Sequence, residues 1–498
     1  MMRQAPMASR AVLALLALLW LLGSVRALMP VLHEPLYAYA NSYDQARYTG
    51  CFQLYPDRPA SVPPQRNSPQ APFSDFRFIA SADPMCYWSS ELLFTGAAAL
   101  GWHVAEALGG AHVHDVRPLG VLRWGALLAL SVALSLAWLR RGRPLAAVAN
   151  AALLPLLFAD PANTLYLATF YAEWSALLWA YAVLAALLLW HGEAATRGRV
   201  LLLAAAGFLL ATSKIQHLAL PLVVAAAFAA AAWWQRRPSD WRVPALAAGA
   251  LAGLVLQLAQ LGRGGPMMDA IDQYNRADVL FTALLPLADD PRALLVELGI
   301  DPGCAPYTGR HAWELPDLPE PLCAGFAGFG RRSQLSTLVR HPVIAWRLAA
   351  AAPGALSPWI ATNLGQVEGG VFQPVPSRIG AGPWLSRWPW LQQVLLALPP
   401  LALLALLARR RRSAVVDAAS ESSATTCALM AATLGVAVLG DGLADVAKQG
   451  HLVTNAALAW LLAAVAVLTA AAWKRLARQR RPGQASGPTL RWRPRNGA

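Results

Sequence analysis

Apolar runs long enough to cross a bilayer recur from one end of this 498-residue chain to the other, and no other feature narrows its fold as far. Ten such runs are expected to span, at roughly 11–28, 119–139, 145–158, 165–190, 200–213, 215–234, 244–262, 389–408, 426–440 and 452–473. Three of them, 145–158, 200–213 and 426–440, fall short of the usual twenty or so residues. A tilted or broken helix, or neighbouring protein, must complete them. Composition agrees: 57% of residues are hydrophobic and only 14% charged, where soluble domains carry about a quarter. The expected fold is therefore an all-α polytopic membrane protein of about ten transmembrane helices, with two long extracytoplasmic loops at 29–118 and 263–388.

Basic residues set the orientation. Arg3 and Arg10 precede the first span; Arg140, Arg141 and Arg143 fill one turn, and Arg197 and Arg199 the next on that side. Arg236, Arg237 and Arg242 follow, then Arg409 to Arg412, then a tail with Lys474, Arg475, Arg478, Arg480 and Arg481. All fall on one face, which is expected to be cytoplasmic, with both termini inside. The net charge of +14 is thereby a topology signal, and no nucleic-acid partner is expected. The first span reads as a retained anchor, because no small-x-small cleavage site follows it and Arg26 interrupts its end. The organisation expected is a seven-span module over 1–262, a large outer loop domain over 263–388, a three-span region over 389–473 and a basic tail over 474–498. Within the first outer loop, the stretch 91–108 is amphipathic and suits the membrane surface.

Cysteines sort by loop. Cys51 and Cys86 share the first outer loop and Cys304 and Cys323 the second, so two intraloop disulfides are expected in an oxidising space. Cys427 opens a span and reads as packing. His112 and His114 form a pair too sparse for a metal site.

Polar residues near apolar runs carry the functional signal. Asp44-Gln45-Ala46-Arg47-Tyr48 lies about sixteen residues past the first span. An acid and an arginine three residues apart share one face of a helical turn, here resting on the membrane surface. Glu173, in Phe170-Tyr171-Ala172-Glu173-Trp174, is expected about two turns inside the fourth span; such a carboxylate faces a cavity or a partner, in a functional or a structural role. Asp160, followed by Pro161, reads as a helix N-cap or as a residue contributing to a metal. Lysine usage is the second signal: of 41 basic residues only Lys214, Lys448 and Lys474 are lysines. Lys214, in Ser213-Lys214-Ile215-Gln216-His217, and Lys448 are both expected at the outer ends of spans. A compact ammonium binds phosphate as a point charge, whereas snorkelling alone is served equally by arginine.

These pieces suit attack by a hydroxyl on a sugar joined to a lipid phosphate. Asp44 would act as general base, Arg47, Lys214, Gln216, His217 and Lys448 would hold the donor phosphate, and Tyr48, Tyr171 and Glu173 would orient substrates. No Walker-type glycine run is present, as expected of an enzyme that does not spend nucleotides.

Asp44-Gln45-Ala46-Arg47-Tyr48 resembles the Asp-Glu-x-Arg-Tyr motif in the first outer loop of GT-C glycosyltransferases, especially the bacterial aminoarabinose transferases, and the family also includes protein mannosyltransferase-like enzymes. The seven-span module, the interfacial first outer loop, the large loop after the seventh span and the Lys214 turn are similar too. The resemblance is topological over most of 1–262 and motif-level only near Asp44 and Lys214. It implies a GT-C-like fold in the bacterial cytoplasmic (inner) membrane, an extracytoplasmic active site, a polyprenyl-phosphate-linked sugar as donor, inversion at the sugar, and a glycan, lipid or protein acceptor. Gln45 stands where many members carry a second acid, so no cofactor is certain and a divalent metal is only an option.

Two other functions fit the same broad class. A secondary transporter or flippase requires a polar pathway at mid-membrane depth. A lipid-linked glycan polymerase or ligase would use basic residues of the late loop, where Arg331, Arg332, Arg340 and His341 are available. The aromatic stretch through Trp384, Trp388 and Trp390 is expected to anchor at the interface rather than to hold sugar.

Overall fold

The computed structural model describes residues 10–39, 42–57, 74–82, 84–237, 240–261, 265–360, 365–367, 380–409 and 413–479. Arg3, Arg263, Arg410 to Arg412, Arg480 and Arg481 lie outside them, as do the side chains beyond Trp473. The chain is an all-α polytopic membrane protein. Its first half comprises α1 (Arg10–Val31), α2 (Ser42–Thr49), α3 (Leu92–Ala107), α4 (Arg117–Arg140), α5 (Pro144–Leu153, continued by a π-helical turn Leu154–Phe158), α6 (Glu173–Leu189), α7 (Arg197–Ala211), α8 (Leu220–Trp234) and α9 (Arg242–Leu261). The second half contains α10 (Pro266–Asp278), α11 (Arg331–Arg340), α12 (Pro342–Ala355), α13 (Pro389–Leu407), α14 (Ala414–Asp441), α15 (Val446–Gln449) and α16 (His451–Gln479). The described late loop also holds short helices, Pro291–Glu297 and Ala381–Arg387 among them.

Among the described residues, seven helices are long and apolar enough to cross a membrane: α1, α4, the Ile215–Trp234 segment containing α8, α9, α13, α14 and α16. The other three expected spans are shorter helices, α5, α6 and α7. Two boundaries differ from the sequence reading. The run 426–440 is the end of a helix that starts at Ala414, where Ser413 Oγ caps the Val416 N–H, so this span needs no neighbour to complete it. The run 165–190 is helical only from Glu173, which places this acid in the first turn of α6 rather than two turns inside a span.

Arg123 supplies the physical reason for that break. Its fully buried guanidinium, on α4, donates hydrogen bonds to the carbonyls of Tyr166 (2.9 Å), Leu167 (2.8 Å) and Thr169. Those carbonyls are thereby satisfied without continuing a helix through an apolar run. The same guanidinium pairs with Glu91, also fully buried, just before α3. A membrane-facing helix, a loop helix and the broken segment are thus joined at one point.

The anchor α1 packs against α4 and α5, and Gly23 is in direct contact with Leu154. α7 and α9 form the most extensive pair; a side chain at Gly249 would meet the Ala204 carbonyl. At one end of the bundle, Glu193 holds Arg141 (2.9 Å) and Arg199 (2.8 Å), and Glu421 takes Arg237 and His191. The arginines of the turns therefore collect at a single end, while α2, α3 and the late loop sit at the other. Both expected disulfides form, Cys51–Cys86 and Cys304–Cys323. Trp384 and Trp390 are exposed, in keeping with interfacial anchoring.

Candidate functional site

The site is assembled by four separate pieces of chain. α2 starts just after the first span and carries Asp44 and Arg47 one helical turn apart, with Arg47 Nη2 2.8 Å from Asp44 Oδ1. Close packing fixes this helix: a side chain at Gly50 would collide with the Met85 carbonyl, the adjacent Cys51–Cys86 bond ties the same two segments, and the Tyr87 N–H donates to the Arg47 carbonyl at 2.7 Å. The segment 85–91 is held in turn to the Lys214 turn by Ser89 Oγ to the Ser213 carbonyl, at 2.6 Å.

The break before α6 forms the second piece. Phe170 N–H donates to Gln45 Oε1 at 2.9 Å, and Tyr171 and Glu173 follow. Gln45, the residue that departs from the acidic motif, is 3% exposed and is spent on holding this backbone. The third piece is the turn between α7 and α8. Lys214 Nζ donates to Glu173 Oε1 and to Gln449 Oε1, both at 2.7 Å.

The fourth piece is α15, from the far C-terminal region. Gly442 has φ +62, and a side chain there would meet the Asp278 carbonyl and Thr282 Oγ1, so glycine alone permits the turn that delivers α15. Lys448 Nζ donates to Asp44 Oδ2 at 2.6 Å, lies 3.4 Å from Asp445 Oδ2, and sits 4.8 Å from the centre of the Tyr171 ring. His451 Nε2 is 3.1 Å from the Glu173 carbonyl. A small cavity of about 10 Å³, room for roughly one water molecule, lies between Asp44, Arg47, Tyr48, Tyr171, Glu173 and Lys214.

Electrostatics follow from this ring of charges. Burial opposes ionisation of Asp44, but Lys448, Arg47 and Lys214 outweigh it and hold its carboxyl well below the usual carboxylate range. Lys448 is buried, which disfavours its charge, yet Asp44, Tyr171 and Asp445 keep its pKa well above that of a free lysine. Asp445 is pushed up to about 7, first by burial and further by Asp441, against the pull of Lys448. Tyr171 Oη and Arg47 Nε are buried and make no hydrogen bond within the described residues, which leaves polar capacity for a substrate.

Asp44, Arg47, Tyr48, Tyr171, Glu173, Lys214 and Lys448 are therefore brought together as the sequence predicts. Gln216 and His217 are not: neither lines the pocket, and the buried His217 Nδ1 is 3.0 Å from Ser213 Oγ, which stabilises its own turn. Asp160 is the N-cap of the single turn Pro161–Thr164, accepting from the N–H groups of Ala162 (3.1 Å) and Gly382 (2.9 Å). Among the described residues no three His, Cys, Asp or Glu side chains converge on a common point. Asp44 and Glu173 already face ammonium and guanidinium groups, a setting that repels a divalent ion, so the donor set does not fit a metal. Three of the late-loop basic residues are engaged elsewhere, Arg331 with the Leu439 carbonyl and Arg340 and His341 with Glu297, and Arg332 is exposed. Glu91, Arg123, Asp445 and Gln449 were missed. A lone arginine about one turn into the apolar run 119–139 was the available signal for Arg123.

No curated protein and no solved structure matches the chain. The model of the family described as the YfdI N-terminal transmembrane domain matches residues 14–323. That stretch includes Asp44, Arg123, Glu173 and Lys214, and ends before Lys448. Because it spans more than half of the 498 residues, this membrane protein belongs to the YfdI N-terminal transmembrane domain family.

Proposed function

We propose that this protein is a GT-C-like glycosyltransferase that moves a sugar from a polyprenyl-phosphate donor to a hydroxyl of a glycan, lipid or protein acceptor. In this reading it lies in the bacterial cytoplasmic membrane with both termini inside and the Asp44 site on the extracytoplasmic face. The observation that carries it is the convergence of the only two lysines outside the tail on two carboxylates beside one small pocket. A chain that otherwise uses arginine, apart from Lys474 in its tail, places Lys214, Lys448 and Arg47 around a single acid. Their position at one end of the bundle, with Glu173 in the first turn of its helix, suits surface chemistry better than a mid-membrane transport pathway.

The donor phosphate would take hydrogen bonds from Lys214, Lys448 and Arg47, and the Tyr171 hydroxyl is placed to bind substrate oxygen. Drawing these cations onto the phosphate weakens their hold on Asp44 and raises its basicity where a proton must be accepted. The acceptor oxygen then bonds to the anomeric carbon as the carbon–oxygen bond to phosphate breaks. The acceptor proton passes to Asp44, and the bonding electrons leave on the phosphate oxygen, which the cations stabilise. Glu173 keeps Lys214 extended toward the pocket. A single displacement of this kind inverts the sugar carbon.

The test is release of free polyprenyl phosphate by purified protein in lipid, across a panel of lipid-linked monosaccharides, with and without an envelope extract as acceptor. Acceptor-dependent release from one donor is expected. Acceptor-driven cleavage of lipid-linked oligosaccharide diphosphates instead would transfer the site to the polymerase class, and movement of intact lipid across the bilayer without cleavage would make it a transporter.

A further inference from the structure

The helix pair α11–α12 in the late loop, joined only by His341, has a side that neither the site nor the core uses. α11 buries Gln334 and Thr337, and α12 buries Ile344, Leu348 and Ala352. Opposite these, Leu335 and Val339 of α11 are 55% and 80% exposed, and Val343 and Trp346 of α12 are 52% and 75% exposed. The spacings, four residues on α11 and three on α12, put each pair on one helical face. Large apolar side chains grouped outside the spans mark an interaction surface.

The ends of this helix pair fix its height relative to the membrane helices. At its start, Arg331 Nη1 donates to the Leu439 carbonyl, at 2.6 Å, in the last turn of α14. At its end, Gln393 Nε2, in the first turns of α13, donates to the Pro353 carbonyl at 2.8 Å. Both ends therefore rest where two membrane helices leave the bilayer, on the side of the bundle that carries Asp44. Arg332 is exposed and lies three and seven residues before Leu335 and Val339, on the same face of α11. Apolar residues, a tryptophan and a cation at the height of the helix ends are the makings of an interfacial surface.

We propose that α11–α12 is a membrane-inserted helix pair: Leu335, Val339, Val343 and Trp346 enter the upper acyl region of the leaflet on the Asp44 side, with Arg332 at the lipid phosphates. Its partner is the bilayer itself. The helix pair then seats the late loop on the surface from which a lipid-linked substrate would arrive. The inference stands whether or not the transferase reading holds.

The full chain, with Cys427→Ser to remove the free thiol, is spin-labelled through Trp346→Cys and separately through Val339→Cys. It is reconstituted in vesicles of phosphatidylethanolamine and phosphatidylglycerol. Val255→Cys, on the exposed face of α9, reports the bilayer interior, and Asp317→Cys reports an exposed late-loop position. Collision with molecular oxygen is expected to exceed collision with a water-soluble nickel chelate several-fold at 339 and 346, as at 255 and unlike 317. Nickel collisions dominating at both positions would place the face in water, and low collision rates with both reagents would mean that protein covers it. Either result overturns the proposal.

Discussion

Arg123→Met should be the most damaging substitution outside the pocket, and its cost can be worked from the structure. Arg123 is wholly buried, pairs with the equally buried Glu91, and serves three backbone carbonyls. Removing one partner of a buried ion pair typically costs ~3–5 kcal/mol, because the other charge is stranded. Each carbonyl that loses its donor adds up to ~1–3 kcal/mol where no other donor reaches it. Against a total stability of roughly 5–15 kcal/mol, this is a large share. In a chain of this size each kcal/mol corresponds to about 2 °C or less, so the melting temperature in detergent should fall by roughly 5–10 °C. Glu91→Gln also strands a charge, on Arg123, but should cost less, since the amide oxygen still accepts from Arg123 and the three carbonyls keep their donor. The double variant should be more stable than the sum of the single losses by about 1–3 kcal/mol, because no charge is left stranded. A melting temperature for Arg123→Met within about 1 °C of wild type would refute this reasoning, as would strict additivity in the cycle.

Three further outcomes follow from the same geometry. Asp44 has its folded-state pKa below the unfolded value of ~3.9, so its stabilising contribution is present above that pH and is lost as pH falls beneath it; Lys448→Met removes the nearest cation, so the acidic limb of a pH–rate profile should move to higher pH. An unmoved limb would separate Lys448 from the Asp44 titration. Gln45→Leu should cost ~1–3 kcal/mol and lower transfer by freeing the Phe170 N–H, whereas Gln45→Glu keeps an acceptor; equal melting curves and rates for both would remove the positioning role. Cys304→Ala should cost about 3 kcal/mol, read as faster proteolysis within the late loop and unchanged cleavage elsewhere.

Much of this site was legible before any fold was known. Asp44 and Arg47 share a helical face by spacing alone, and the scarcity of lysine singled out Lys214 and Lys448, although 234 positions separate them. The two cysteine pairs followed from their division between loops. What escaped was non-local. Glu173 seemed buried in a span because nothing in 165–190 marks a break; the break is imposed by a guanidinium from another helix. Gln45 looked like a missing acid, and only the fold shows its amide oxygen bound to Phe170. His217 sat beside the right lysine, but its ring turns inward to Ser213. Spacing predicts which side chains share a face; it does not predict which of them another segment will claim.

Asp44→Asn offers the most direct test. The amide keeps the shape and most hydrogen-bonding capacity of the carboxylate but cannot accept the acceptor's proton, and general-base catalysis contributes about 10²–10⁴-fold. With donor saturating and melting curves confirming a folded protein, release of polyprenyl phosphate should fall by roughly that factor. Transfer by Asp44→Asn at the wild-type rate would contradict the assignment of Asp44 as base.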